Sequence, residues 1–356
     1  MWPDRRFLDL VGLDHPIVQA PMVGPRAGLA AAVSATGALG SLGCAALNAE
    51  QVRGEVAVIR RGTDRPYNLN FFCHAPAAPD PAREAAWLER LTPYYRELGL
   101  DPAAPVAMAN RAPFDEAMCA VVEDLRPAVV SFHFGLPDAA LLRRVREAGC
   151  LVVSSATTVR EARWLETHGV DAIIAQGADA GGHRGMFLTD ALESQVGTFS
   201  LVPQVVDAVR VPVIAAGGIA DARGIAAALT LGASAVQIGT AYLLCPEAGI
   251  SAVHLAALRA ARDEETALTN VFTGRPARGL VNRVLAELGP VSADAPAFPS
   301  AAVALQLLRQ RAEAAGSGDF SPLWSGQAAA LAQEMGAADL TLRLADEAGG
   351  MLKLRG

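Results

Sequence analysis

The chain has 356 residues, 52% of them hydrophobic, with a formal net charge of −7 and five cysteines. That size and apolar content suffice for one large core, and the acidic balance without a Lys/Arg cluster argues against a nucleic-acid partner. No run approaches the roughly 18 apolar residues of a membrane-spanning helix, so no membrane partner is expected; scattered cysteines without CxxC spacing indicate reduced thiols in a cytoplasmic protein.

The first residues, Met1-Trp2-Pro3-Asp4-Arg5-Arg6, have no long apolar segment behind the arginines, so no signal peptide is expected and the chain is read as leading straight into its first strand. Apolar runs then alternate with helical patterns. Residues 16–20 form the first strand, 28–36 a helix, 39–43 the second strand and 67–72 the third. Residues 129–134 are the fourth strand, followed by a helix over 139–148; 151–156 are the fifth, followed by a helix over 159–168. Residues 172–177, 211–216 and 235–240 are the sixth, seventh and eighth, with a helix over 221–231 closed by Gly232 between the last two. Continuous apolar strands alternating with helices imply a buried parallel sheet. A count of eight points to an α/β TIM-type (β/α)8 barrel over an open doubly wound sheet.

Two regions exceed a minimal barrel. Residues 74–105, rich in Pro and Ala and carrying Trp87, Tyr94 and Tyr95, are read as an insertion on the side of the active site. Residues 246–356 follow the last strand, with helical stretches expected at 251–263, 301–314 and 325–335 and a local hinge at Gly316-Ser317-Gly318-Asp319. The organisation expected is a barrel over 1–245 and a mainly helical C-terminal cap over 246–356, covering the mouth and excluding water from the site.

Active sites of such barrels lie at the C-terminal ends of the strands. There the sequence places Ala20, Pro21 and Met22 after the first strand, Asn70 on the third, His133 on the fourth and Gln176 at the end of the sixth. Gly181, Gly182 and His183 follow in a Gly-Gly-His-Arg-Gly loop, then Gly217 and Gly218 after the seventh strand and Gln237, Gly239 and Thr240 on and after the eighth. Glycine turns after the seventh and eighth strands suit a phosphate, since backbone N–H groups can approach it without a Cβ in the way. Asp179 stands alone, no His/Asp/Glu set has metal spacing, and no Schiff-base lysine is present. So poor an inventory points to a cofactor that supplies the chemistry, and FMN matches the glycine turns. His133 reads either as a core histidine satisfied by a carbonyl or as a neutral base for a carbon acid. His183 reads as a backbone-bonded loop residue or as part of the pocket wall; Gln176 as a satisfied strand-end amide or as a partner of the flavin edge.

Four stretches carry a resemblance: PIVQAPMVG at 16–24, SFHFG at 131–135, QGADAGGHRG at 176–185 and PVIAAGGIADARGIAAALTLGASAVQIGT at 212–240. With them the chain resembles the nitronate monooxygenase family, formerly 2-nitropropane dioxygenases, and most its class I branch. The resemblance implies a TIM-type barrel with non-covalent FMN. Pro21 and Met22, beside Ala20, would border the isoalloxazine; Asn70 and Gln176 would bond it or the ribityl chain. Gly181, Gly182, Gly217, Gly218, Gln237, Gly239 and Thr240 would hold ribityl and phosphate. His133 falls on the family's catalytic base, taking the α-proton of a neutral nitroalkane. The implied partners are a nitronate or nitroalkane, such as propionate 3-nitronate, and O2, giving a carbonyl compound and nitrite without NAD(P)H; room is left for a homo-oligomer. Two departures stand out: Asp179 where the family often has Glu, and Pro25-Arg26-Ala27 after Gly24 where it usually has Thr-Pro.

Three other readings stay open at this stage. They are an FMN enzyme using NAD(P)H on quinones or enoyl thioesters, a flavin carrier without turnover, and a sugar-phosphate barrel without flavin. The AGGH and AAGGI elements also fit flavin-dependent enoyl-acyl-carrier-protein reductases, whereas SFHFG favours the monooxygenases.

Overall fold

Eight parallel strands close on themselves in the computed structural model, which describes residues 2–22, 24, 27–106 and 112–353. Val23, Pro25 and Arg26 of the first loop lie outside the described residues. In chain order the barrel strands are β1 (Ile17–Gln19), β2 (Gly40–Gly43), β3 (Tyr67–Phe72), β4 (Val129–His133), β5 (Leu151–Ala156) and β6 (Ala172–Gln176). A two-residue strand, β7 (Gly182–His183), intervenes before β8 (Val213–Ala216) and β9 (Ala235–Ile238). Their order is β1-β9-β8-β6-β5-β4-β3-β2. The ring closes where Gln19 N donates to the Leu39 carbonyl (2.9 Å) and Leu39 N to that of Ile17 (3.0 Å). The strands are almost wholly buried, because helices cover their outer faces and side chains fill the interior.

Several helices begin where the sequence offers an oxygen cap. Asp221 accepts from the backbone N–H of Arg223 and Gly224 and starts Ala222–Thr230; Asp138 starts Ala139–Glu147, and Thr158 starts Val159–Thr167. The chain does not run straight into β1 as expected. A short helix, Arg6–Val11, comes first, and its Phe7, Leu8 and Val11 pack on Val18, Val129, Val153 and Ala235. Six residues, of which three apolar side chains are buried, make too faint a period to be seen in the sequence, yet they plug the barrel's N-terminal end.

The region after β3 and the C-terminal region meet in a second core. Helix Pro81–Glu97 packs against helix Ala301–Ala314, burying Trp87, Leu91, Tyr95, Leu305, Leu308 and Phe320. The Trp87 indole donates to the Ala301 carbonyl (3.2 Å) and the Tyr95 hydroxyl to that of Ala304 (2.6 Å). These aromatics are packing residues and line no part of the site cavity. The last helix, Ala337–Lys353, lies on the barrel's outside against Ala222–Thr230 and Ala27–Ala35, and Tyr242 bonds its Thr341 (2.7 Å).

The helix expected at 325–335 is not formed; that stretch is irregular, with one short 3-10 turn at Ala329–Leu331. Its backbone donors are taken by distant segments: Ser325 N donates to the Arg278 carbonyl (3.3 Å) and Gln327 N to that of Asp179, in the loop after β6 (3.0 Å). Gly326 runs so close that a Cβ would lie 2.9 Å from the Asp179 carbonyl oxygen. Two further strands, β10 (Thr266–Thr269) and β11 (Ala277–Leu280), pair with β7 in an antiparallel sheet. The Gly-Gly-His loop is thus partly strand, held by Ala277 opposite His183 and Arg278 opposite Gly182. Among the described residues no helix is long and apolar enough to cross a membrane.

Candidate active site

A cavity of about 330 Å³ opens at the C-terminal ends of the strands, within the usual size for small-molecule sites. Every residue singled out from the sequence lines it: Ala20, Pro21 and Met22 after β1, Asn70 on β3, His133 at the end of β4, Gln176 at the end of β6, Gly181 to His183, Gly217, Gly218, Gln237, Gly239 and Thr240. The C-terminal region contributes Ser251, His254, Arg309, Trp324 and Gly326. No Asp or Glu is among the described lining residues, and Arg309 is their one permanently charged side chain.

The glycines serve different needs. Gly217 and Gly218 have φ of +113° and +68°, a region that side chains disfavour. A Cβ on Gly181 would lie 2.5 Å from Gly326 N, so packing of the 325–326 segment demands that glycine. At Gly239 a Cβ would meet nothing closer than 3.4 Å, and its φ is −110°. Neither backbone nor packing requires glycine there, and what its absence of a side chain preserves is space beside Ala20 and Met22.

The amides also divide. Gln176 Nε2 donates to the His183 carbonyl (2.9 Å) and its Oε1 accepts from Gly185 N (2.7 Å), so both ends brace the loop. This is the geometry of a satisfied strand-end amide. Asn70 Nδ2 donates to Ser131 Oγ (2.9 Å). Thr240 Oγ1 accepts from Gly326 N (2.9 Å). Gln237 Oε1, by contrast, is buried and has no hydrogen-bond partner.

His133 is held at both ring nitrogens. Nε2 lies 3.1 Å from the His183 carbonyl oxygen and Nδ1 lies 3.0 Å from Ser155 Oγ. A carbonyl only accepts, so Nε2 carries the proton and Nδ1 the free lone pair. Burial pushes the imidazole pKa down to about 4; the carbonyl bond opposes this, and the Arg275 and Arg184 charges add to it. The ring is therefore neutral at neutral pH. Phe134 and Gly135, directly after it, have φ of +70° and +90°. A bulky residue in that region is strained, and Ser154 Oγ pins the turn by donating to the Gly135 carbonyl (2.9 Å). His183 Nε2 is 2.9 Å from Thr273 Oγ1, and its ring stands among Phe72, Phe298 and Trp324 at 6.0, 5.5 and 5.4 Å.

Several residues that sequence reasoning missed hold this arrangement. Arg184, fully buried, donates to the carbonyls of Gly177 and Gln176 (2.6 Å each) and to Gln195 Oε1 (2.8 Å). Burial lowers its pKa to about 9, Arg278 acting the same way and Asp179 and Glu161 opposing. Glu161, also fully buried, accepts from Thr157 N and Oγ1 and from Phe187 N (2.7 Å each). The Arg275 guanidinium sits 4.0 Å from the Phe134 ring centroid. Asp179 does not line the cavity; its carboxylate accepts from Thr198 N (2.6 Å) and Oγ1 (2.7 Å). Burial pushes that carboxyl up, but the Thr198 bonds outweigh it and hold the pKa below the ordinary value. Arg184 stood in the GGHRG stretch and was legible by its place; Ser155 and Glu161 carried no local signal.

A family model described as nitronate monooxygenase matches residues 5–347. The chain is similar to nitronate monooxygenase of Pseudomonas aeruginosa, 45% identical over 97% of this chain and 99% of that one. Its fold is similar to the crystal structure of nitroalkane oxidase from Streptomyces ansochromogenes, with a TM-score of 0.90, 38% identity and coverage of 99% and 100%. FabK from Thermotoga maritima is similar at a TM-score of 0.75 and 29% identity, covering 99% of this chain and 98% of that one.

Proposed function

The chain belongs to the nitronate monooxygenase family, and from that premise we propose that it oxidises alkyl nitronates with FMN and O2 to a carbonyl compound and nitrite, without NAD(P)H. The observation that carries this reading is a neutral histidine, His133, facing a cavity walled by glycines and amides, with no carboxylate among its described lining residues.

The residues present fit FMN. The orphaned Gln237 Oε1 can accept from an N–H or a ribityl hydroxyl, and the space kept by Gly239 leaves room beside Met22. Absence of Asp and Glu suits a phosphate, and the backbone at Gly217, Gly218, Gly239 and Thr240 would hold it. Pro21 and Met22 would border the ring system; Asn70 and Gly182 would complete its surroundings, with Gly181 and Gln176 shaping the loop. Bound FMN supplies the electron acceptor that links nitronate to O2.

The protein's own task is then to bind, orient and dry the substrate. A neutral nitroalkane gives its α-proton to His133. Burial makes the imidazole a reluctant cation, but the nitronate anion forms beside it, and opposite charges in a low-dielectric site stabilise each other. A nitronate arrives already deprotonated and needs His133 only for orientation. Phe72, His183 and Trp324 wall the cavity and exclude water. In the same reading residues 1–245 are the catalytic barrel, 246–356 its cap, and the five free cysteines accord with a cytoplasmic enzyme.

The test is an anaerobic flavin spectrum of the FMN-loaded protein. Propionate 3-nitronate is expected to reduce the flavin and NADH and NADPH to leave it oxidised. Reduction by a nicotinamide with no response to nitronate would place the chain among NAD(P)H-dependent flavin reductases instead.

A further inference from the structure

His133 and Ser155 stand on neighbouring strands, one step beyond the Phe132–Ser154 pair of β4 and β5. Ser155 is 4% exposed and lines the cavity. Because His183 O fixes the proton on Nε2, the 3.0 Å contact at Nδ1 is a bond donated by the Ser155 hydroxyl. No carboxylate bonds the imidazole, so the orienting partner that a base needs is here a serine and a carbonyl.

That pair has a property a carboxylate lacks. A hydroxyl donates as readily as it accepts. When Nδ1 takes the hydroxyl's proton, Ser155 Oγ takes the substrate's in its place and then accepts from Nδ1–H. The His183 carbonyl keeps its bond to Nε2–H throughout. The ring therefore has the same two partners before and after proton transfer. Gly185 closes the third side, since a Cβ there would lie 2.9 Å from both His133 Cε1 and Ser155 Cβ.

We propose that Ser155 makes Nδ1 the basic nitrogen of His133, passes the α-proton on to it through its hydroxyl, and holds the imidazole in one orientation throughout. The α-C–H bond of the nitroalkane breaks and its electron pair stays on the nitronate; the proton goes to Ser155 Oγ as the hydroxyl gives its own proton to Nδ1, so a C–H and an O–H bond break while an O–H and an N–H bond form. This rests on the reading of His133 as the base. The charged groups acting on the ring, Arg275 and Arg184, belong to other elements and stay in place when Ser155 is changed.

The experiment combines ring-nitrogen NMR of FMN-loaded enzyme carrying 15N-histidine with turnover of nitroethane and of its nitronate. The wild type is expected to show His133 protonated at Nε2 and bare at Nδ1. Ser155→Ala is expected to give mixed tautomers and to lower kcat on nitroethane about 10- to 100-fold, with KM and nitronate turnover little changed. Ser155→Thr, which keeps the hydroxyl, is expected to restore both. A wild-type His133 protonated at Nδ1 overturns the proposal. So does a Ser155→Ala enzyme with unaltered tautomer and unaltered nitroethane turnover while His133→Asn abolishes that turnover. If His133→Asn itself leaves nitroethane turnover intact, the base reading falls, whereas the spectrum still reports the Ser155–His133 bond.

Discussion

Gly185 packs against His133 so tightly that a Cβ on it would stand 2.9 Å from the imidazole Cε1 and 3.2 Å from Nδ1. Its backbone is not in the left-handed region, so glycine is required there by the neighbouring ring and not by the chain's own conformation. Gly185→Ala is therefore expected to fold and to retain FMN, yet to lower kcat on neutral nitroalkanes by about 10-fold or more through displacement of the base. Steady-state kinetics beside FMN content would check this; full activity would mean that the ring tolerates the shift.

His133→Asn removes the base but keeps a polar strand-end side chain. Turnover of neutral nitroalkanes is expected to fall about 10²- to 10⁴-fold, the usual contribution of general base catalysis, and turnover of preformed nitronates far less. Comparing the two substrates on the same preparation checks it. Equal losses would assign His133 to binding.

Gln237→Leu takes away a buried side-chain acceptor that has no protein partner, and Gly239→Val fills space that neither packing nor φ requires to be empty. Both are expected to leave Tm within a few degrees and to weaken FMN retention, read by flavin release on dialysis. A protein that holds FMN unchanged through both substitutions would locate the cofactor elsewhere. In the same assay the wild type is expected to be yellow and to release FMN, not FAD, on heating.

The pH dependence of stability follows from His133. Its pKa is lowered from 6.5 to about 4 in the folded protein, so between those values the unfolded chain binds more protons than the native one. Stability is complete above about pH 6.5 and declines as pH falls towards about 4, by up to about 3 kcal/mol from this residue. Burial also lowers the pKa of His254 and His15, which adds in the same direction. Urea midpoints at pH 7 and pH 5 should differ more in the wild type than in His133→Asn. Parallel shifts in both would show that another group dominates.

The barrel was legible because its strands are short apolar runs between helices with oxygen caps. The third and fifth strands, 67–72 and 151–156, have the bounds read from the sequence, and the others differ by a residue or two. The site was legible as far as it depends on position at a strand end, hence His133, Asn70, Gln176 and the glycine turns. What could not be read depends on partners distant in the chain. Ser155 matters only because β5 lies beside β4; Gly185 only because the loop after β6 folds back over both. Residues 325–335 are rich in alanine and locally favour a helix, but their donors are claimed by Arg278 and Asp179. The cluster of Phe72, Phe134 and Phe298 beside the histidines likewise joins residues distant in the chain.

The bond from Trp87 to Ala301 spans 214 residues of chain. Helix Pro81–Glu97 leaves the ribosome long before helix Ala301–Ala314, and until then Trp87, Leu91 and Tyr95 lack the helix that covers them. The second core can thus assemble only late in synthesis, with a closure cost set by a loop of 214 residues. A polypeptide stopped short of Ala301 would carry a complete set of barrel strands and an uncovered aromatic face. Trimming the C-terminal region therefore cannot yield a minimal barrel unless the segment after β3 is removed with it.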